Sequence, residues 1–107
     1  MSTEEQSAII DEKWVALLQR AHGRVRTIAQ AAVLRPGLRA LYPYQSMSSL
    51  GFSRTTTYPY DRMPYVVGEG PENGLYVAKE VNGSVIVEGD LAKALDAVES
   101  AIRRLGW

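Results

Sequence analysis

Apolar positions recur with three-and-four spacing from Trp14 through Leu17, Leu18, Ala21, Val25 and Ile28 to Ala32, while Gln19, Arg26 and Gln30 fall elsewhere on the cylinder. That pattern lines one helical face and predicts helix over residues 3 to 34, with the apolar face buried against a sheet. Ser2 with Glu5, or Thr3 with Gln6, has capping-box spacing, and Glu4, Glu5, Asp11 and Glu12 sit where the helix dipole favours acids. Gly23 costs a helix up to about 1 kcal/mol relative to alanine, so the segment reads either as one kinked helix or as two. Arg35-Pro36-Gly37 ends it, because the residue before a proline is pushed out of the α region.

From residue 41 onward the period changes. Leu38 to Leu41 fits one short turn, and Tyr42-Pro43-Tyr44 must be extended or turning. Ser48 to Arg54 alternates, with Leu50 and Phe52 on one face and Ser49, Gly51 and Ser53 on the other. Gly51 within a strand implies a bulge or a close backbone approach. Thr55 to Thr57 is β-branched and suits a continuation of that strand. Pro59 and Pro64 then impose a loop before an edge-like strand at Tyr65 to Val67. Gly68 to Gly74 is a loop by composition. Leu75 to Val81 and Ser84 to Glu88 form a hairpin about Asn82-Gly83, a pair that tolerates positive φ, with Val85 and Val87 on the core face. Asp90 caps a last helix whose stripe is Leu91, Leu95, Val98, Ile102 and Leu105; Arg103 and Arg104 suit its C-terminal end and Gly106 stops it. The predicted fold is a single α+β domain over residues 1–107: a small antiparallel meander sheet of three to four strands, with an N-terminal and a C-terminal helix packed on one face.

Composition narrows the function classes. A chain of 107 residues, 46% apolar and 22% charged, is an ordinary globular domain. It has no cysteine, so disulfides, thiolate metal sites and cysteine nucleophiles are excluded. The polar, acidic start does not resemble a signal peptide, and no apolar run approaches the roughly 20 residues of a membrane span. A cytoplasmic protein is expected. Net charge is zero but unevenly spread: between Leu18 and Arg62 stand Arg20, Arg24, Arg26, Arg35, Arg39, Arg54 and Arg62 against the single acid Asp61. Such a block either pairs with acidic flanks or faces an anionic partner, and neutrality overall favours pairing.

Candidate chemistry is sparse outside one stretch. His22 is the only histidine, so sites built from several histidines are excluded, and beside Gly23 it reads as a solvated side chain. Glu69, Glu72, Glu88 and Asp90 are too scattered for a carboxylate metal site, and no cofactor is called for. Gly68-x-Gly70-x-x-x-Gly74 contains Pro71, lacks a Lys-Ser/Thr ending and precedes a strand, which fits a hairpin connection better than a phosphate cradle. The stretch from Leu41 to Val67, by contrast, holds five of the six tyrosines and the only phenylalanine. Within it Tyr44, Arg54, Thr56, Tyr58, Tyr60 and Arg62 combine guanidinium forks, hydroxyls and aromatic faces, the chemistry of a ligand- or partner-binding surface. The structural alternative is that these tyrosines plug the core edge while Arg54 pairs with Asp61, or Arg62 with a flank acid. Nucleic acid would use the same arginines with base stacking, but zero net charge and only three lysines weigh against it.

Leu41-Tyr-Pro-Tyr44, Leu50-Gly-Phe-Ser-Arg54 and Thr57-Tyr-Pro-Tyr60 resemble a family of small, mostly actinobacterial proteins of unknown function labelled as natural-product biosynthesis proteins. The resemblance runs through Gly74-Leu-Tyr-Val77 to the last helix, over roughly residues 34 to 105. Where that family is associated with a Ser-His-Gly step, this chain has Ser46-Met47-Ser48, so a role for such a histidine does not apply. The resemblance implies an accessory role in secondary metabolism and transfers no catalytic residue. The expectation is therefore a non-catalytic protein gripping a small molecule, a carrier-bound intermediate or a partner enzyme through Tyr42 to Tyr65. Two alternatives are a small enzyme with Tyr58 or Tyr60 as acid and Arg54 holding an oxyanion, and an immunity or antitoxin-like protein that neutralises a partner. Trp107 and exposed tyrosines also suit a homodimer contact.

Overall fold

The computed structural model describes residues 3–69 and 74–106. Among them run α1 (Thr3–Arg20), α2 (Gly23–Ala32), α3 (Pro36–Arg39), β1 (Tyr42–Ser46), β2 (Ser49–Ser53), β3 (Tyr65–Gly68), β4 (Tyr76–Lys79), β5 (Val85–Gly89) and α4 (Leu91–Arg104). The capping-box side chains of Ser2 and Thr3, the tip of the loop between β3 and β4, and Trp107 lie outside what is described.

The strands form one antiparallel sheet in the order β1-β2-β3-β4-β5, each hydrogen-bonded to its sequence neighbours. The α+β architecture with N- and C-terminal helices on one sheet face is as expected, but the sheet has five strands rather than three or four. The additional strand is β1, which accommodates Pro43 because an edge strand needs no donor on its outer side. Thr55 to Thr57 leave the sheet instead of prolonging β2, since Ser53 and Thr55 side chains bond the local backbone in place of a neighbouring strand.

Gly23 breaks the first helical segment in two. It takes φ +59, a left-handed value that glycine adopts without Cβ strain. Trp14, Leu17, Ala21, Val25, Ile28, Ala29 and Ala32 are nevertheless buried along the combined face and meet Leu50, Phe52 and Val66 from the sheet. The Trp14 indole donates to the Leu41 carbonyl at 3.1 Å, fixing where β1 begins. At the other end Asp90 accepts from the Lys93 amide at 2.8 Å, and Ala94, Leu95, Val98, Ala101 and Ile102 bury against the sheet. Tyr76, Ala78 and Val87 complete this side.

Val85 departs from the expected core face: it is 54% exposed. A register irregularity between Ala78 and Lys79 pairs Ala78 with Val87 but Lys79 with Val85, so the two valines no longer share an environment. Leu105, expected in the last helix's apolar stripe, is also exposed, lying just past that helix's end.

Candidate functional site

The helices cover one sheet face and leave the other open. Strand alternation places Tyr42, Tyr44 and Ser46 of β1, Ser49, Gly51 and Ser53 of β2, and Tyr65 and Val67 of β3 on that open face. Tyr44 pairs directly with Gly51. A Cβ at position 51 would lie 2.4 Å from Tyr44 Cζ, so the tyrosine ring occupies the space a side chain would fill. The close approach expected at Gly51 is therefore an aromatic ring from the neighbouring strand.

The segment after β2 folds back onto this surface. Ser53 is fully buried, its hydroxyl donating to the Thr55 carbonyl at 2.8 Å while its oxygen accepts from the Thr55 amide at 3.0 Å. The Asp61 amide donates to Thr55 Oγ1, the Arg54 amide to the Asp61 carbonyl, and Ser53 bridges to Arg62. This closed loop returns Tyr60 over β1, with its ring stacked on Tyr44 at 5.1 Å and tilted against Tyr42 at 5.6 Å. Tyr58 stands edge-on to Tyr60 and is 81% exposed; the Tyr58–Pro59 peptide is cis.

Beside this cluster lies a groove of about 200 Å³ lined by Tyr44, Ser46, Ser49, Gly51, Arg62, Met63, Tyr65 and Val81. Burial pushes the Tyr44 hydroxyl above the ordinary tyrosine value; Arg62 offsets part of the rise, and Tyr65 and Tyr60 add to it. Tyr42 is raised as well, first by burial and then by the charge of Tyr60 and a hydrogen bond with it. Both phenols therefore stay neutral and able to donate well past physiological pH.

The six predicted site residues separate into groups. Tyr44 and Arg62 line the groove, and Tyr60 backs Tyr44. Arg54 is engaged within the loop instead: its guanidinium lies 3.5 Å from Asp61 and donates from Nε to Met63 Sδ at 3.3 Å. Thr56 is half-buried in the same loop, away from the groove lining, and Tyr58 projects beyond it. The enzyme arrangement of Tyr58 or Tyr60 beside Arg54 does not line this groove; the tyrosine and arginine that do are Tyr44 and Arg62. Sequence reasoning missed Ser46, Ser49, Gly51, Met63, Tyr65 and Val81 as lining residues, although the alternation of β2 had already placed Ser49 and Gly51 opposite the core.

A larger concavity of about 480 Å³ lies between α3 and the end of α4, lined by Pro36, Gly37, Leu38, Ala40, Leu41, Glu99, Ile102 and Arg103. Its charged groups already have partners, Glu99 binding Arg35 at 2.9 Å and approaching Arg103 at 3.9 Å. The smaller groove offers more uncommitted polar chemistry, and it is the better site candidate.

Fold and groove together define a small α+β protein with one helix-covered sheet face and one open, tyrosine-rich face. The chain belongs to a family of unknown function (DUF6193), whose match spans residues 8–106. That agrees with the expectation of an uncharacterised family and extends it over nearly the whole chain. Neither a curated protein nor a solved structure matches significantly. Among the described residues no helix is long and apolar enough to cross a membrane.

Proposed function

We propose that this protein is a non-catalytic binding protein, accessory to natural-product biosynthesis, that holds a small molecule on the open face of its sheet. Within the Tyr42–Tyr65 segment, Tyr44 and Arg62 make the contact and Tyr60 supports Tyr44. Arg54 and Thr56 shape the loop that delivers Tyr60, and Tyr58 forms the outer rim. The observation that carries this reading is the groove, lined by tyrosines of β1 and β3 and by Arg62 from the segment between β2 and β3, beside apolar Met63 and Val81. A few convergent polar groups in a concave, partly apolar lining is the usual form of a small-molecule site. At about 200 Å³ it is smaller than the roughly 300–1,000 Å³ of drug-sized pockets, which favours a compact ligand over a carrier-bound intermediate.

The test is retention of small molecules from an extract of the native cells by the tagged protein, read by mass spectrometry. A compound held by wild type and lost from a folded Arg62→Gln variant is expected. Retention of nothing, or equal retention by both, would refute the site. A specific protein captured in place of a small molecule would move the weight to a partner-enzyme or partner-neutralising role. Chemical conversion of the retained compound would favour the enzyme reading instead, with Tyr44 as proton donor beside Arg62, since burial keeps its phenol protonated.

A further inference from the structure

We infer that the groove takes a small planar molecule bearing a single carboxylate, with Arg62 as its anion anchor. The inference rests on the binding reading above and adds the chemical class of the ligand.

The first observation is how the arginines of the central block are used. Arg35 binds Asp96 and Glu99, Arg39 binds Asp11, and Arg54 lies against Asp61. Arg24 donates to the carbonyls of Glu69 and Leu75. Arg62 forms no ion pair with any described residue; the exposed Arg20 and Arg26 form none either, but of these three only Arg62 lines the groove. Lys79, on the same sheet face, is already drawn to Glu69 at 3.5 Å.

The second observation is the balance of donors and acceptors. No Asp or Glu lines the groove, whereas Arg62, Tyr44 and Tyr65, all donor-bearing residues, do. The Ser49 hydroxyl donates to the Ser46 carbonyl at 2.6 Å, which uses its proton internally. The lining is thus richest in donors around one guanidinium, whose fork matches the two oxygens of a carboxylate. One uncompensated cation suits a monoanion better than a phosphate dianion.

The third is shape and surface. Two phenol rings and the partly exposed Val81 present apolar contact area above the buried Met63, which favours an aromatic body over a saturated one. The volume accommodates a compact ligand.

The experiment is an NMR titration of the isotope-labelled full chain with para-hydroxybenzoate, para-hydroxybenzamide, cyclohexanecarboxylate and inorganic phosphate. Para-hydroxybenzoate is expected to shift the amides of Ser49, Gly51 and Tyr65 with millimolar or tighter affinity, and the amide analogue to bind about tenfold more weakly or worse. Arg62→Gln should lose about tenfold or more for the carboxylate and clearly less for the amide, and Arg62→Lys should recover part of the carboxylate loss. Equal binding of the benzoate and the benzamide would overturn the anion assignment and leave the binding reading standing. Equal binding of cyclohexanecarboxylate would overturn the planar body, and preference for phosphate would overturn the carboxylate. If none of the four shifts the groove amides, the inference fails, and extract retention separately decides whether the groove binds anything at all.

Discussion

At the residue scale, the open face is governed by two phenols that fold into surroundings unfavourable to their ionised form. Tyr42 and Tyr44 both have raised pKa values, with burial the leading cause in each. For an acid whose charged form is disfavoured in the fold, the unfolded chain ionises first. The stabilisation is therefore fully present below the ordinary tyrosine pKa and is lost as pH rises through the folded value. Stability measured by urea unfolding should show no loss from these groups up to about pH 9 and should fall above about pH 10. Replacing Tyr44 with phenylalanine should reduce that alkaline slope, and an unchanged slope would mean that Tyr44 ionises as freely folded as unfolded. Ser53 shows a complementary limit of sequence reading. Alternation placed it on the face away from the core, yet it is fully buried because the 54–62 loop closes over it. Only the folded loop shows that its hydroxyl has become part of the backbone accounting.

At the scale of elements, the site depends on one cross-strand pair. The Tyr44 ring lies over Gly51 and stacks with Tyr60, so position 51 tolerates no side chain while that ring is in place. Gly51→Ala should cost about 1–3 kcal/mol, the range for forcing extra volume into a packed site. In a Tyr44→Ala background the same substitution should cost much less, and this non-additivity in denaturant unfolding identifies the ring as the obstruction. Equal costs in both backgrounds would place the clash elsewhere. Much of the element pattern was legible: the stripes of α1, α2 and α4, the core face of β2 and the Asn82-Gly83 turn all express strong local periodicity. What escaped was set by pairing. β1 carries a proline, and the turn joining it to β2 has no glycine, with Met47 itself adopting φ 53. The exposed Val85 likewise reflects a register irregularity that neither strand's own sequence reveals. The candidate site was legible as a concentration of tyrosine and arginine, but which arginine of the segment lines the groove depended on how the loop closed.

For the whole molecule, part of the uneven charge distribution resolves into contacts between distant parts of the chain. Arg39 reaches back to Asp11 on α1, and Arg35 reaches forward to α4. Arg35 is the stronger tie. It lies between α2 and α3, contacts Asp96 at 2.5 Å and Glu99 at 2.9 Å, and points a further N–H at the Ala92 carbonyl. Hydrogen bonds to the two acids outweigh its own burial and raise its pKa. The two acids are unequal partners, however: Glu99 is 19% exposed and Asp96 73%. Solvent screening leaves an exposed pair worth little, whereas a sheltered carboxylate loses more when its cation is removed. Arg35→Gln is therefore expected to destabilise by about 1–2 kcal/mol, and Asp96→Asn by no more than about 0.5 kcal/mol. Raising the salt concentration should reduce the wild-type advantage over Arg35→Gln only partly, because the Glu99 contact is shielded from bulk ions. The check is urea unfolding of both variants at low and high salt. Equal losses for the two substitutions, or complete loss of the difference at high salt, would show that the link between the N-terminal helices and α4 is a surface attraction, leaving their shared contact with the sheet to hold them together.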